Sequence, residues 1–186
     1  MRQSRSIRTK DAAIMLRTLL RRRYPAVRFS VRFESYSMGS HITIRWTDGP
    51  ASRTIEELSV PFSGSRFDGM CDGSYLVESW LLPDGSAVCA TTGADGYSSG
   101  ATTLPPCADA ELVLFGGSTP SCDREISPEY EAACTKAWAG LDGHQRCVLL
   151  NESRFPRWEG RTGGYKLAWF FDADQIMPKA ATIRAA

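Results

Sequence analysis

Apolar residues recur at helical spacing early in the chain. Ala12, Leu16, Leu19, Leu20 and Tyr24 fall on one side, and Lys10, Arg17 and Arg21 on the other, which predicts a helix from Lys10 to about Tyr24. Thr9 is placed to cap it, Asp11 stands in the first turn where the helix dipole favours an acid, and Pro25 stops it. Ile14 lies among the basic residues of the polar side, either an idle exposed apolar group or a contact anchor.

The period then changes to two. Val27, Phe29, Val31 and Phe33 alternate with Arg28, Ser30 and Arg32, and Ile42, Ile44 and Trp46 alternate with His41, Thr43 and Arg45. The two runs predict an antiparallel hairpin turned at Tyr36 to Ser40, where Gly39 supplies a positive φ. Its polar row places Arg28, Arg32, His41 and Arg45 on one sheet face, either solvated or used for recognition. Thr47-Asp48-Gly49-Pro50 breaks the chain, Ala51 to about Val60 reads as a second helix burying Ile55 and Leu58, and Pro61 ends it. Ser63 to Gly73 is a loop of small residues. A second hairpin is expected over Tyr75 to Leu82 and Ala87 to Thr91, turned at Pro83 to Ser86, followed by a loop from Gly93 to Pro106.

Farther on, Glu111 to Phe115 is a strand. Ser127 caps a third helix that begins at Pro128, is closed by Gly140 and carries Tyr130, Cys134, Ala137, Trp138 and Leu141 as its buried stripe. Cys147 to Leu150 and Tyr165 to Phe171 are further strand candidates, and no repeat is present. These elements predict an α+β domain: an antiparallel sheet with the first and third helices packed mainly on one face.

At 186 residues and 42% hydrophobic content the chain is long and apolar enough to bury a core. No apolar run approaches the roughly 20 residues that span a bilayer, and the arginine-rich start is not followed by a signal-type stretch, so a soluble, unsecreted protein is expected. The net charge of +1 conceals a division. Residues 1–32 hold ten basic side chains against Asp11, a charge of +9, and the remainder holds 12 basic and 20 acidic residues, a charge of −8. A field of this kind steers nucleic acid or acidic protein surfaces, although the same arginines also serve to solvate a helix or to pair with the acidic remainder, within the molecule or across a dimer.

Six cysteines, Cys71, Cys89, Cys107, Cys122, Cys134 and Cys147, are dispersed without the close pairs of a zinc knuckle, and free buried thiols are expected. Asp142, His144 and Cys147 lie within six residues, and with Cys122 or Asp123 nearby they offer the parts of a thiol nucleophile with a histidine base. A plain turn before a strand explains the same residues. Asp68 and Asp72 flank Gly69 in a loop that lacks the further acids of a calcium site, so turn chemistry is preferred to a metal. No cofactor and no metal are expected. Arg157, Trp158 and Arg161, beside Gly160 to Gly164, form a secondary basic loop. Arginine outnumbers lysine 18 to 4, which suits bidentate phosphate or carboxylate contacts.

Phe29-Ser30-Val31-Arg32, Tyr36-Ser37, Gly39-Ser40, Ile42, Ile44, Trp46-Thr47-Asp48-Gly49-Pro50 and Phe67-Asp68-Gly69-Met70 before Asp72 together resemble a large polyvalent-protein-associated domain of type twenty-nine. The likeness is strong over residues 10 to 75. A weaker one covers 111 to 139, on Val113-Leu114-Phe115-Gly116, Arg124-Glu125 and Ser127-Pro128. Relative to that family the chain departs at Met38, His41 and Gly117-Ser118-Thr119-Pro120, inserts residues of about 76–110 and appends 142–186. The organisation expected is one domain over 1–141 with an inserted hairpin, and a C-terminal extension packing on the same core.

The resemblance implies an accessory module of a phage or other mobile element, cytoplasmic in a bacterial host and without an agreed enzymatic activity. It suggests non-catalytic binding, directed at a host defence protein or at DNA or RNA, with a role in DNA transfer or maintenance as the alternative; the residues His144 and Cys147 leave a small Cys/His enzyme as a further one. The binding surface expected is Arg17, Arg21, Arg28, Arg32, His41 and Arg45.

Overall fold

In the computed structural model, residues 4–37, 39–69, 72–91 and 102–140 are described. The chain runs β1 (Arg5–Ile7), α1 (Thr9–Arg23), β2 (Ser30–Tyr36), β3 (Gly39–Thr47), α2 (Ser52–Ser59) with a 3-10 turn at Val60–Phe62, β4 (Ser65–Asp68), β5 (Gly73–Leu76), β6 (Ser79–Leu81), β7 (Ala87–Cys89), β8 (Glu111–Phe115), β9 (Ser121–Glu125) and α3 (Pro128–Ala139). It is an α+β fold. Among the described residues three sheets form in place of the expected antiparallel one: β1-β8-β6-β7, β2-β3-β9 and the β4-β5 hairpin. β1 runs parallel to β8, in register from Arg5 opposite Val113 to Ile7 opposite Phe115. β6, expected in an inserted hairpin, is hydrogen-bonded between β8 and β7, so it is an interior strand of its sheet.

The chain divides into two compact units, Met1–Arg45 with Ile55–Asp123 and Trp46–Thr54 with Arg124–Ala186, of which 46–54 and 124–140 are described in the second. α1 belongs to the first unit and α3 to the second. The expected C-terminal extension 142–186, with its two strand candidates, lies outside the described residues.

In the first unit, α1 lies against β2. Its buried face is Thr9, Ala12, Ala13, Leu16, Leu19 and Leu20, and Val31, Ile42 and Ile44 are buried on the hairpin. Phe62 and Phe115 stack at 5.0 Å between ring centroids. Trp80, Ala90 and Leu112 form a cluster of their own. The buried hydroxyl of Ser79 donates to the Pro61 carbonyl at 2.6 Å, so its burial leaves no polar atom unsatisfied.

Several details differ from expectation. Thr9 is not the cap of α1: Arg8 occupies that position without a capping side chain, and its carbonyl accepts from the N–H groups of Asp11 and Ala12. Thr9 is the first helical residue, with its buried hydroxyl 2.6 Å from Ser40 Oγ. The hairpin is displaced toward its turn, since β2 ends at Tyr36 and β3 begins at Gly39. Gly39 is a strand residue and does not carry a positive φ; among the described residues those positions are Asp48, Gly49, Asp72, Gly85 and Gly117. Phe33, expected inward, is 37% exposed, because a side chain on the outermost strand has neighbours on one side only.

α2 is shorter than expected and buries Ile55 and Ser59, with Leu58 half-buried, and Pro61 sits buried in the 3-10 turn that follows. The stretch read as a loop from Ser63 to Gly73 contributes β4 and the start of β5. β1 and β9 had no sequence signal strong enough to predict them.

The second unit is organised around a turn. Asp48 takes φ of +58°, and its carboxylate accepts from the N–H and the hydroxyl of Ser127 at 2.8 and 2.9 Å. Ser127 in turn accepts from the Tyr130 N–H at 3.2 Å, the cap expected for α3. Arg124 donates to the Gly49 carbonyl at 2.7 Å and lies 5.4 Å from the centre of the Tyr130 ring. Cys134 is buried on α3, while Ala137, Trp138 and Leu141 of the expected stripe lie outside the side chains described.

Candidate functional site

Two candidate surfaces arise in the first unit from the same packing of α1 on the β2-β3 hairpin. Register decides the first. Ser30 stands opposite Arg45, Arg32 opposite Thr43 and Glu34 opposite His41, and directly opposed residues share a face. Val31 and Ile44 occupy the other face, the buried one. The outer face therefore gathers Arg32, Glu34, His41 and Arg45, whereas Arg28, expected on the same face, precedes β2 and takes no part in the strand pairing.

β9 extends that outer face. Ser121 Oγ lies 2.9 Å from His41 Nε2, and the Asp123 carboxylate accepts from Arg45 Nε at 3.2 Å. Between them Cys122 turns inward, its sulfur 3.7 Å from Ser59 Oγ, as a period of two requires. Ser118 Oγ completes the surroundings of His41 at 3.0 Å from Nδ1. Both ring nitrogens are thus engaged by hydroxyls. A neutral imidazole donates from one nitrogen only, so one serine then donates its proton to the ring and the other accepts from it. This arrangement orients the ring.

The charge of this face differs from the basic surface expected. Glu34 and Asp123 stand against Arg32 and Arg45, so the two signs balance. Arg17 does not face solvent freely either: it is half-buried and its guanidinium donates to the Val31 carbonyl at 2.5 Å. Arg21 is exposed on α1, and Arg28 is exposed in the connection from α1 to β2. Among the described residues neither has an ion-pair partner, whereas Arg5, Arg8, Arg22 and Arg45 pair with Glu111, Asp11, Asp84 and Asp123.

The second surface is the outward stripe of α1. Lys10, Ile14 and Arg21 are separated by four and seven residues, which brings them to one side of the helix, and all three are exposed, Ile14 by 50%. Asp11, the one acid of α1, is held by Arg8 at 3.0 Å. A helix packed on a sheet turns its exposed stripe away from that sheet, so Arg21 does not join Arg32, His41 and Arg45 on their face.

Two of the described thiols, Cys122 and Cys134, are held in their protonated form by burial. Cys89, Cys107, Cys122 and Cys134 are free, as expected, but among them only Cys134 is buried and Cys107 is exposed. Burial pushes the Cys122 thiol up to about 11, with the negative charges of Glu56 and Asp123 adding to the shift and the Ser59 hydrogen bond opposing it. Cys134 is raised as well, chiefly by burial. The Cys122 thiol is therefore protonated at neutral pH. Asp142, His144, Cys147, Arg157, Trp158 and Arg161 lie outside the described residues. Among the described residues no group of three or more His, Cys, Asp or Glu side chains is placed to hold a metal ion.

Ser118 and Ser121 are site residues with no expectation from the sequence, and Asp123, weighed there for a thiol site, instead pairs with Arg45. Ser121 and Asp123 do alternate with Cys122, the signal of a strand, but the run between Pro120 and Ser127 is too polar to stand out. No helix among the described residues is long and apolar enough to cross a membrane.

The family described as large polyvalent protein associated domain 29 matches residues 7–102, just over half of the 186 residues, and the matched stretch runs from β1 through α1, the β2-β3 hairpin and α2 to beyond β7. No curated protein and no solved structure matches the chain.

Proposed function

We propose that this chain, which belongs to the large polyvalent protein associated domain 29 family, is a non-catalytic binding module of a phage or other mobile element. It meets an anionic partner through the outward stripe of α1. The partner is a host defence protein or a nucleic acid that presents a dense negative surface. The observation that carries this reading is the stripe itself: Lys10 and Arg21 flank the half-exposed Ile14, and neither cation has an ion-pair partner among the described residues. Two cations around an apolar anchor combine long-range steering with a contact that excludes water. The alternative on the outer face of β2 and β3 is less favourable for an anion, because Glu34 and Asp123 offset Arg32 and Arg45 there.

The test is a fluorescence-anisotropy titration with mixed-sequence single- and double-stranded DNA and RNA at several salt concentrations. Affinity should fall linearly on logarithmic axes, and Lys10→Glu with Arg21→Glu should make that slope shallower by about two phosphate contacts. An unchanged slope in the double variant would overturn the reading for nucleic acid. If wild-type protein binds no nucleic acid at low salt, the target is a host protein. In that case the same double reversal must abolish capture of a defence component from host lysate while thermal unfolding stays unchanged.

A further inference from the structure

We infer that the outer edge of β2 is a self-association surface, which joins two copies of this chain by antiparallel β2 pairing about a two-fold axis at Phe33. Among the described residues β2 is the end strand of its sheet, with β3 on one side. The connection to β3 has two residues, so Tyr36 and Gly39 are the closing hydrogen-bonded pair of the hairpin. Counting back from that pair, Ser30, Arg32 and Glu34 direct their backbone groups to β3. Val31, Phe33 and Ser35 then turn theirs outward. The Arg17 guanidinium on the Val31 carbonyl accords with this parity, because it reaches that oxygen from the side away from β3. Among the described residues nothing else bonds to this outward row.

An open strand edge is a template for another strand, and chains that avoid such pairing interrupt the edge with a bulge, a proline or a lone inward charge. β2 has none of these, and it carries two exposed aromatics, Phe33 at 37% and Tyr36 at 56%. Arg17 guards one carbonyl, which keeps a second lone pair for a further donor. The occupant follows from the order of charges. With Phe33 opposite Phe33 of the partner subunit, Arg32 stands opposite Glu34 of the partner subunit, and symmetry repeats that pair on the other side of the axis. Both pairs lie on the outer face, and the two phenylalanines meet on the inner one. Moving the register by two residues in either direction sets Glu34 against its own copy or Arg32 against its own copy. Only the register centred on Phe33 matches opposite charges. Arg32 and Glu34 are exposed, and neither has an ion pair among the described residues.

Sedimentation-velocity ultracentrifugation of the full chain over a concentration series tests the inference. Wild-type protein should show a monomer–dimer equilibrium. Arg32→Glu alone and Glu34→Arg alone each set like charges opposite one another twice, and each should weaken self-association by about tenfold or more. Combining both changes in one chain restores the opposite-charge pattern and should restore the dimer. An equimolar mixture of the two single variants should form a heterodimer, since all charge pairs across it are again opposite. A wild-type chain that stays monomeric through the series would overturn the inference. So would a dimer indifferent to the single reversals, or one that neither the double variant nor the mixture recovers. Circular dichroism of each variant identifies any that has lost its fold; should one single variant do so, the other single variant and the double variant carry the test.

Discussion

Asp48 holds the start of α3 from 79 residues away, accepting from both the backbone N–H and the hydroxyl of Ser127. Ser127 passes the connection on to the Tyr130 N–H, so one carboxylate orients the residue that caps the helix. Hydrogen bonds to an ionised acceptor are among the stronger ones. Asp48→Ala should therefore destabilise the second unit by roughly 2–3 kcal/mol, because it removes two such bonds and places a less tolerant residue at φ of +58°. Asp48→Asn, which tolerates that conformation and retains an acceptor oxygen, should cost about half as much. Urea denaturation followed by far-ultraviolet circular dichroism measures both.

Arg17 ties α1 to the edge of β2 through the Val31 carbonyl. Arg17→Ala should lower stability by about 1 kcal/mol, a modest figure because water can replace the guanidinium at an open edge. Arg17→Lys should recover part of it. A drop of the same size for Arg21→Ala, whose side chain is exposed, would contradict this assignment. Thermal denaturation of the three variants separates the cases.

Cys122 should resist alkylation by iodoacetamide at neutral pH while exposed Cys107 reacts, and peptide mass spectrometry after a timed quench distinguishes the two. Its raised value also sets a direction for stability. The folded protein holds the thiol proton more tightly than the unfolded chain does, so the contribution is intact below the ordinary value of 9.0 and is lost as pH rises toward about 11. Across that window the loss should be roughly 1–3 kcal/mol. Cys122→Ser should flatten the alkaline limb of the stability profile.

Gly64 allows close passage of β8. A Cβ at that position would fall against the carbonyl oxygen of Phe115, a backbone atom that has no rotamer to escape into. The Gly64 N–H also donates to the Gly117 carbonyl at 3.1 Å, and its carbonyl accepts from the Val77 N–H at 3.0 Å. Gly64→Ala should cost about 3 kcal/mol or more by forcing the strands apart. Gly85→Ala, where the added methyl meets open space but φ is +81°, should cost about 1 kcal/mol. Equilibrium unfolding of the two variants tests the contrast.

Periodicity alone determined the α1 stripe, the alternation of Arg32, His41 and Arg45 on one face of a hairpin, the strand Glu111–Phe115 and the cap of α3 at Ser127, because each is specified by neighbours within one or two turns of chain. The family likeness was also present in the residues, from Phe29 to Met70. Tertiary structure decided the rest. β1 and β9 are short and polar, and they become strands only because β8 and β3 offer them backbone partners from distant parts of the chain. His41 was visible as a polar residue of a strand, but Ser118 and Ser121, which hold its ring, reach it across 77 and 80 residues. The charge of the site face changed for the same reason. Arg45 looked like an uncompensated cation until β9 brought Asp123 beside it, and Arg17 looked solvated until α1 settled on β2 and put the Val31 carbonyl within reach. A side chain's own sequence neighbourhood sets which face it takes; what waits on that face is set by segments that meet only when the core closes and their unpaired backbone groups must find partners.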